Sequence, residues 1–260
     1  MGNRMLRNIV PPVLSVTVFL LVWQAACKMF SLPPYMLPDP LRVAERMAED
    51  SSLLLKHVAA TFQLALMGVA AGVAAGIIVA LILHFVPWLR SAVAPLIVMS
   101  QNIPLIVLAP LLIMWFGFGL SPKLILLVII CFFPIAWSML AGLRHAEPHL
   151  REYLAMIGAS RRQMLLRLEL PASLPYFFSG LKITTTYSVS SVVVAEWLGS
   201  SKGIGYYLYL KFKGYDIAAA FGAVACIIAL SLLFYGAAAL LERLVIRWRP
   251  RTGEKGGRQA

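Results

Sequence analysis

Charged residues are scarce in this chain: Asp, Glu, Lys and Arg together make up 13% of its 260 residues, whereas hydrophobic residues make up 60%. A soluble domain carries about 25% charged residues, so roughly half of the usual polar surface is missing. This shortage excludes an ordinary soluble fold. Much of the surface must face lipid, where each spanning helix needs about 20 consecutive apolar residues.

Acidic residues are the scarcer sign: 11 Asp and Glu stand against 23 Lys and Arg, which gives a formal net charge of +12. In a soluble protein this excess would favour nucleic-acid binding. Here the charges lie between long apolar runs, so they bear on the orientation of the chain in a membrane. A nucleic-acid partner is therefore not expected.

Clusters of reactive side chains are also missing. The three cysteines, Cys27, Cys131 and Cys226, are isolated in apolar stretches, so they are expected to act as small hydrophobic residues. The four histidines fall at predicted helix ends or in loops, and no Ser, Cys or carboxylate accompanies them at a catalytic spacing. We expect no metal, no cofactor and no enzymatic activity, since a membrane-embedded enzyme would need an intramembrane acid or metal cluster.

The sequence also lacks a motif for binding ATP. It contains no G-x-x-x-x-G-K-[ST] motif, the loop that holds ATP phosphates, so any ATP would be bound by a partner subunit. Ion-coupled carriers usually place ionisable residues deep in the membrane. Here Lys182 and Glu196 lie near the two ends of the predicted fifth span, and Lys182 is close enough to the inner face to reach it. This placement argues against an ion-coupled secondary transporter, which we keep as one alternative among the functions open to a membrane protein.

Six stretches are long and apolar enough to cross a membrane, which predicts an all-α polytopic protein with six transmembrane helices. They are 9–28, 58–83, 91–114, 123–143, 176–195 and 217–241. With both termini in the cytoplasm, the inner segments hold most of the Lys and Arg residues, as the positive-inside rule requires. Arg4 and Arg7 before the first stretch also fit a cleaved signal peptide, but five further stretches follow, so we expect a retained helix.

The sequence divides into three parts. Residues 1–56 contain the first helix and an outer connection, in which residues 41–55 are predicted as one short helix. Residues 57–245 form the core, which holds the other five stretches and a long polar loop, and residues 246–260 form a basic cytoplasmic tail. In the core, Gly68, Gly72 and Gly76 recur every four residues. This pattern permits close approach of another helix, either within the bundle or from a second subunit.

The long polar stretch on the predicted cytoplasmic side is the loop from residue 144 to residue 175, hereafter loop 144–175. Apolar residues at helical spacing predict two short helices, 148–157 and 159–169, separated at Gly158 and stopped at Pro171. Glycine permits the turn because it adopts backbone angles that other residues avoid. Two projecting amphipathic helices are suited to docking into a groove on a soluble partner.

This loop resembles the EAA loop of bacterial ATP-binding-cassette importer permeases through the pattern Glu152-x5-Gly158-x9-Leu168-x-Leu170-Pro171, with Tyr153 and Leu154 in place of two alanines. Further motifs are similar to the nitrate/sulfonate/taurine branch of that family. In chain order they are Gln101-Asn102-Ile103-Pro104, Trp115-Phe116-Gly117-Phe118-Gly119, Phe132-Phe133-Pro134-Ile135, Ser179-Gly180-Leu181-Lys182, Ala195-Glu196-Trp197 and Gly203-Ile204-Gly205. The likeness covers residues 35–245.

The resemblance implies a multi-pass permease subunit in the bacterial inner membrane that imports a small polar or anionic organic solute. Sulfonates, taurine, nitrate and vitamin precursors are the cargoes left open. The implied partners are a second permease copy, a pair of ATP-binding subunits and an extracytoplasmic solute-binding protein. In the family the loop forms a coupling helix in a cleft of the ATPase. The implied docking residues are Glu152, Gly158, Ala159, Ser160, Leu170 and Pro171.

Polar residues within the apolar spans are the candidates for the translocation path. Hydroxyl groups in membrane helices often bond only to their own backbone, so the path could use a subset of them. The candidates are Gln101, Asn102, Thr184, Thr185, Ser188 and Glu196, with Thr186, Ser190 and Ser191 on the same predicted helix. For Glu196 the sequence leaves open an outer gate, a binding-protein contact or a simple interfacial carboxylate.

Overall fold

The computed structural model describes residues 2–100 and 102–247, and within these ranges the fold is entirely helical, as predicted. Of the predicted tail, residues 248–260 lie outside the described residues. The helices are α1 (Gly2–Met29), α2 (Pro40–Glu49), α3 (Ser51–Phe85), α4 (Pro87–Ser100), α5 (Leu105–Phe116), α6 (Leu120–Arg144), α7 (Pro148–Met156), α8 (Arg161–Met164), α9 (Leu170–Gly199), α10 (Ile204–Lys213) and α11 (Ile217–Val245). A π-helical turn, Leu165–Glu169, joins α8 to α9.

Four of the described helices are long and apolar enough to cross a membrane: residues 10–29 of α1, together with α3, α6 and α11. Helix α9 has 30 residues, a length of about 45 Å at 1.5 Å per residue, but its Thr- and Ser-rich sequence makes it more polar than these four. Its length suffices to span a bilayer core of about 30 Å.

The predicted third span, 91–114, is wrong as a single helix. Helix α4 ends at Ser100, and α5 begins at Leu105 after an irregular segment that includes Asn102. Pro104 is extended, with φ −60° and ψ 130°, and precedes the first residue of α5. Proline disfavours the helical conformation of the residue before it and supplies no backbone N–H, so the helix is interrupted here.

The small residues of α3 pack directly on α6. A Cβ added at Gly68, Gly72 or Gly76 would lie within 2.7 Å of an α6 side chain. On the other side of α6, a Cβ at Gly180 of α9 would lie 2.6 Å from an α6 carbonyl oxygen. Cys131 of α6 is fully buried between these helices and acts as the predicted small hydrophobic residue. Of the two interpretations of the glycine pattern, packing within the bundle is therefore confirmed.

The segment before α3 differs from the prediction of one helix over 41–55. Asp50 separates α2 from α3, so the second predicted span starts at Ser51 and the predicted boundary at residue 56 falls inside α3. Asp39 is the N-cap residue of α2: its side chain accepts the Arg42 backbone N–H at 3.0 Å.

A group of charged residues, the α2–α10–α11 network, holds α2 to the rest of the fold. Arg46 donates to Asp216 at 2.8 Å, and Asp50 accepts from Tyr207 at 2.8 Å and from Lys211. The hydrogen bond from Lys211, followed by that from Tyr207, holds the pKa of Asp50 below its usual range. The network therefore keeps Asp50 ionised at neutral pH.

Loop 144–175 turns at Gly158, as predicted, but it does not stop at Pro171. Gly158 has φ +79°, and Ser160 then caps α8 with a reciprocal pair of bonds to Gln163. From Arg161 the chain stays helical through the π-turn and into α9. Because a π-turn contains one extra residue, it accommodates a proline that donates no backbone hydrogen bond. Loop 144–175 is therefore joined stiffly to α9.

Candidate functional site

The turn of loop 144–175 presents apolar side chains that nothing in the described chain covers. Helix α7 has no buried residue. Its Tyr153 is 56% exposed and Met156 is 78% exposed, followed by Ile157 at 62%. Clustered large apolar residues on a surface mark a site of interaction with another molecule. The turn has the character of a docking surface.

The predicted docking residues fall into two groups in the structure. Glu152, Gly158 and Ser160 are exposed and Ala159 is half-buried at the projecting turn. The remaining pair, Leu170 and Pro171, lies half-buried at the base of α9. The turn and its base are connected by α8 and the π-turn, so the six residues form one stiff element and not one contact surface.

A buried carboxylate at the base of the loop was not singled out in the sequence. Glu169, in the π-turn, is 7% exposed. Its Oε1 accepts from Arg151 Nη2 of α7 at 2.7 Å, and its Oε2 lies 2.9 Å from Nε2 of His84 at the end of α3. Arg151 Nη2 also lies 3.4 Å from the Leu143 carbonyl oxygen of α6. We call these three side chains the loop-end junction. The sequence signal that could have pointed to Glu169 is a glutamate within an apolar stretch predicted to be helical.

The opposite end of α9 carries a second buried carboxylate, Glu196, which is 1% exposed. It accepts the hydroxyl of Thr61 of α3 at 2.8 and 3.0 Å and the backbone N–H of Gly205 at 2.8 Å. Thr61 in turn accepts the Ile204 N–H at 2.7 Å, and His57 Nδ1 accepts the Gly203 N–H at 3.1 Å. We call this group the far-end junction. It satisfies the backbone N–H groups of Gly203, Ile204 and Gly205 at the start of α10.

The motif Gly203-Ile204-Gly205 is explained by this junction. Gly203 has φ +112°, and a Cβ there would lie 2.0 Å from the Glu196 carboxyl carbon. A Cβ at Gly205 would lie 2.5 Å from the Val193 carbonyl oxygen. The interpretation of Glu196 as a simple interfacial carboxylate is wrong, because its side chain is enclosed and binds the start of α10.

The structure places most of the predicted path residues inside the protein. Thr184, Thr185 and Ser188 are between 0% and 4% exposed. Thr184 donates to the Cys131 carbonyl oxygen of α6 at 3.3 Å, while Thr185 and Ser188 donate to carbonyl oxygens of α9 itself. The Thr184 hydroxyl therefore joins α9 to α6, and the other two hydroxyl groups are bonded within α9. Gln101 lies outside the described residues, and Asn102 is exposed between α4 and α5.

Another face of α9 is exposed and forms a continuous stripe. Ile183 is 45% exposed and Tyr187 60%, and Thr186 and Ser190 are exposed beside them. Their spacing of three to four residues puts them on one side of the helix. We call these residues the α9 stripe.

A cavity of about 440 Å³ lies along the α9 stripe, between α5, α6 and α9. Phe133, Trp137, Ser138 and Tyr187 are among the residues that line it. The rings of Phe133 and Trp137 are nearly parallel, with an angle of 14° between their planes and 6.0 Å between their centroids. The volume falls within the range of small-molecule sites, about 300–1,000 Å³.

These features define a helical membrane protein with a loop whose apolar side chains are uncovered, and comparison with known proteins shows its family. The chain belongs to the family of binding-protein-dependent transport system inner membrane components, whose model matches residues 72–247. The predicted resemblance is confirmed. Permease components of this kind are not themselves enzymes.

Three relatives match nearly their whole length. The formylaminopyrimidine transport permease protein ThiX of Halalkalibacterium halodurans is 32% identical over 92% of this chain and 96% of its own. The riboflavin transport system permease protein RibX of Chloroflexus aurantiacus is 35% identical, with 90% and 89% covered. The taurine transport system permease protein TauC of Escherichia coli is 30% identical, with 92% and 90% covered.

A solved structure shares the fold. A chain of the inward-facing MetNI methionine ABC transporter superimposes with a TM-score of 0.69 at 21% identity, covering 76% of this chain and 98% of that chain. The protein is therefore a multi-pass inner-membrane permease component of an ABC importer for small solutes.

Proposed function

We propose that this permease couples ATP hydrolysis in a separate pair of subunits to the uptake of a small polar or anionic organic solute. It works as a homodimer with an extracytoplasmic solute-binding protein. Its six membrane crossings leave both termini and loop 144–175 in the cytoplasm. The observation that carries the proposal is the uncovered apolar turn of this loop, with Met156 78% exposed, on an element that continues into α9.

The docking step follows from this arrangement. The exposed apolar side chains of α7 enter a groove of the ATPase, as amphipathic helices do in other complexes. The exposed Glu152 and Ser160 lie around the turn at Gly158, where a partner surface meets them. When two ATPase subunits close on ATP, the loops move and switch the path between inward- and outward-facing states. ATP is bound by the partner, since this sequence has no phosphate-binding loop.

The translocation path runs along the α9 stripe between the two permease copies. Thr186, Tyr187 and Ser190 supply polar groups there, and Asn102 lies in the exposed break between α4 and α5. The buried Thr184, Thr185 and Ser188 support this face from behind. Hydroxyl groups beside apolar residues suit a solute that must pass without being held tightly.

The cargo within this class is a flat heterocycle in preference to taurine. Two near-parallel rings, Phe133 and Trp137, line the cavity beside the stripe, and aromatic faces stack favourably on planar solutes. Two relatives carry a formylaminopyrimidine and riboflavin by name, whereas a third carries taurine. Uptake of labelled formylaminopyrimidine, riboflavin and taurine by cells that express the complete importer would separate these cargoes. Uptake of taurine alone would overturn the preference.

The coupling proposal is tested by purifying the tagged permease in mild detergent and identifying what accompanies it. We expect an ATPase with a phosphate-binding loop in roughly equal amount, because each permease copy docks one ATPase subunit. Purification of the permease alone, even after cross-linking, would contradict the proposal and favour a self-contained ion-coupled carrier.

A further inference from the structure

We propose that Glu169 is the positioning residue through which movement of loop 144–175 reaches the transmembrane bundle and, at its far end, α10. This inference rests on the proposed function, since the movement is driven by a docked ATPase. Glu169 touches neither solute nor nucleotide. It acts by holding Arg151 of the loop and His84 of α3 on one carboxylate.

The first step is the attachment of α7. This helix buries no residue, so packing alone ties it weakly to the bundle. Among the described residues, its side-chain link to the bundle is Arg151, which donates to Glu169 at 2.7 Å and lies 3.4 Å from the Leu143 carbonyl oxygen. A charge-assisted bond to a nearly buried carboxylate is stronger than one between neutral groups. Displacement of α7 therefore acts on Glu169.

The second step is the position of Glu169 in the chain. It is the last residue of the π-turn and directly precedes α9, so a force on its side chain is applied at the end of that helix. The His84 contact joins the same carboxylate to α3 at 2.9 Å. The side chain of Glu169 is 9% exposed and that of His84 14%, whereas that of Arg151 is 39% exposed. In the loop-end junction, the contact between His84 and Glu169 is therefore enclosed, whereas the contact between Arg151 and Glu169 is the one that can rearrange.

The third step is transmission to the other side. Helices α3 and α9 are joined again at the far-end junction, where Thr61 donates to Glu196 at 2.8 Å. Two carboxylates, one at each end of α9, therefore bind α3, with α6 packed between the helices through glycine contacts. A bundle fixed at both ends moves as one body. Because Glu196 also accepts the Gly205 N–H, this movement carries the start of α10 with it.

The experiment uses the permease purified with its ATPase in lipid nanodiscs, with MgATP plus orthovanadate as the probe. Hydrogen exchange of peptides from α10 is measured with and without the probe. In the wild type we expect a change in α10 exchange, and in Glu169→Gln a loss of that change by at least about fivefold, the lower end of typical coupling factors. Glu147→Gln, which removes the charge of an exposed carboxylate on the same loop, should respond as the wild type.

A second variant keeps the inference testable if Glu169→Gln fails to fold. Arg151→Met removes the partly exposed side of the contact and leaves the Glu169–His84 contact in place; it should show the same loss. The double variant should lose no more than either single variant, because both act on one contact. A purely structural Glu169 would lower the melting temperature but leave the α10 response of the surviving complex unchanged.

Four outcomes decide the matter. Loss of the α10 response with the ATPase still attached supports the inference. A full response in Glu169→Gln or in Arg151→Met overturns it, and so does the absence of any α10 response in the wild-type complex. Failure of the wild type to retain an ATPase would remove the proposed function first, and this inference with it.

Discussion

The two ends of α9 each carry a buried carboxylate bound to α3, but they are built differently. At the far end, Glu196 is 1% exposed, and among the described residues it accepts a hydroxyl and a backbone N–H. At the loop end, Glu169 contacts the ionisable side chains of Arg151 and His84, and Arg151 is partly exposed. Backbone donors are fixed by the fold, whereas an exposed arginine can exchange partners. We therefore expect Glu196 to keep one set of hydrogen-bond partners, and Glu169 to change its contact with Arg151 when the loop moves.

Two glycines with positive φ show the same contrast. At Gly158 in the loop, nothing lies within 4 Å of an added Cβ, whereas at Gly203 the Glu196 carboxyl group lies 2.0 Å away. Glycine is needed at the loop for its backbone angle, and at the far end for the space as well. Substitutions at the two sites should therefore fail in different ways.

The largest effect is expected for Gly203→Ala. The added methyl group overlaps Glu196 and the backbone angle is strained, and each of these costs about 1–3 kcal/mol. Little folded protein should be recovered, as measured by monodisperse yield and melting temperature in detergent. Gly236→Ala on α11 is the control, because nothing lies within 4 Å of its added Cβ. Equal yields of the two variants would refute the described far-end packing.

The next effect concerns function and not folding. Gly158→Asp should still insert and fold, because Asp tolerates left-handed backbone angles at a small cost in strain. It should lose binding-protein-stimulated ATP hydrolysis, because a charge at the turn disturbs docking. Gly158→Asn tests the backbone separately, since Asn also adopts left-handed angles. It should retain most of the activity. Normal stimulated hydrolysis in Gly158→Asp would count against docking at this turn.

A smaller loss of stability is expected for Thr61→Val. The change keeps the side-chain volume but leaves the Glu196 carboxylate and the Ile204 N–H without the shared hydroxyl. An unsatisfied buried polar group costs about 1–3 kcal/mol. Thermal unfolding in detergent would measure it, with Thr17→Val as the control, because the exposed Thr17 bonds only to its own helix. A shift no larger than that of the control would contradict the assigned role of Thr61.

The smallest effect is a pH dependence in the α2–α10–α11 network. The pKa of Asp50 is lowered in the folded state, chiefly by the hydrogen bond from Lys211. Its contribution to stability is therefore present above the unfolded value of about 3.9 and is lost as the pH falls through the lower folded value. The contribution of a partly exposed pair is about 0–1 kcal/mol. Between pH 6 and pH 3, the melting temperature should fall less in Asp50→Asn than in the wild type. Glu45→Gln, an exposed change on α2, should follow the wild type; identical slopes for Asp50→Asn and the wild type would refute the assignment.

Much of the local architecture was predictable because local patterns encode it. The turn at Gly158 was predicted from the glycine alone. The N-cap at Ser160 was not predicted, although it also depends on residues within three positions of each other. The split of the third span was not predicted, because a proline in an apolar run either bends or interrupts a helix and its surroundings select between the two. The prediction that Pro171 stops the helix was wrong for the same reason. The π-turn before it leaves no backbone hydrogen bond that residue 171 would have to donate.

The candidate site was only half predictable. Apolar residues at helical spacing in a polar loop predicted a docking element. Of these, the structure leaves Leu150 and Ile157 exposed, whereas Leu154, Met164, Leu165 and Leu168 are half-buried. The path residues were chosen only because they are polar, and the sequence pattern did not distinguish Thr184, which faces α6, from Thr186, which faces outward. Both are threonines in one helix, two positions apart, so only the neighbouring helices separate them.

The sequence by itself determined that this chain is a membrane protein and that it is helical, because composition and short-range spacing decide these properties. The docking role of its polar loop stays a prediction. Tertiary structure alone decided which polar side chains bond between helices and which face outward. Thr61 and Glu196 are 135 residues apart, and His84 and Glu169 are 85 apart. Such pairs form because α3 and α9 both pack on α6. No local sequence pattern shows which distant side chain a buried carboxylate will contact.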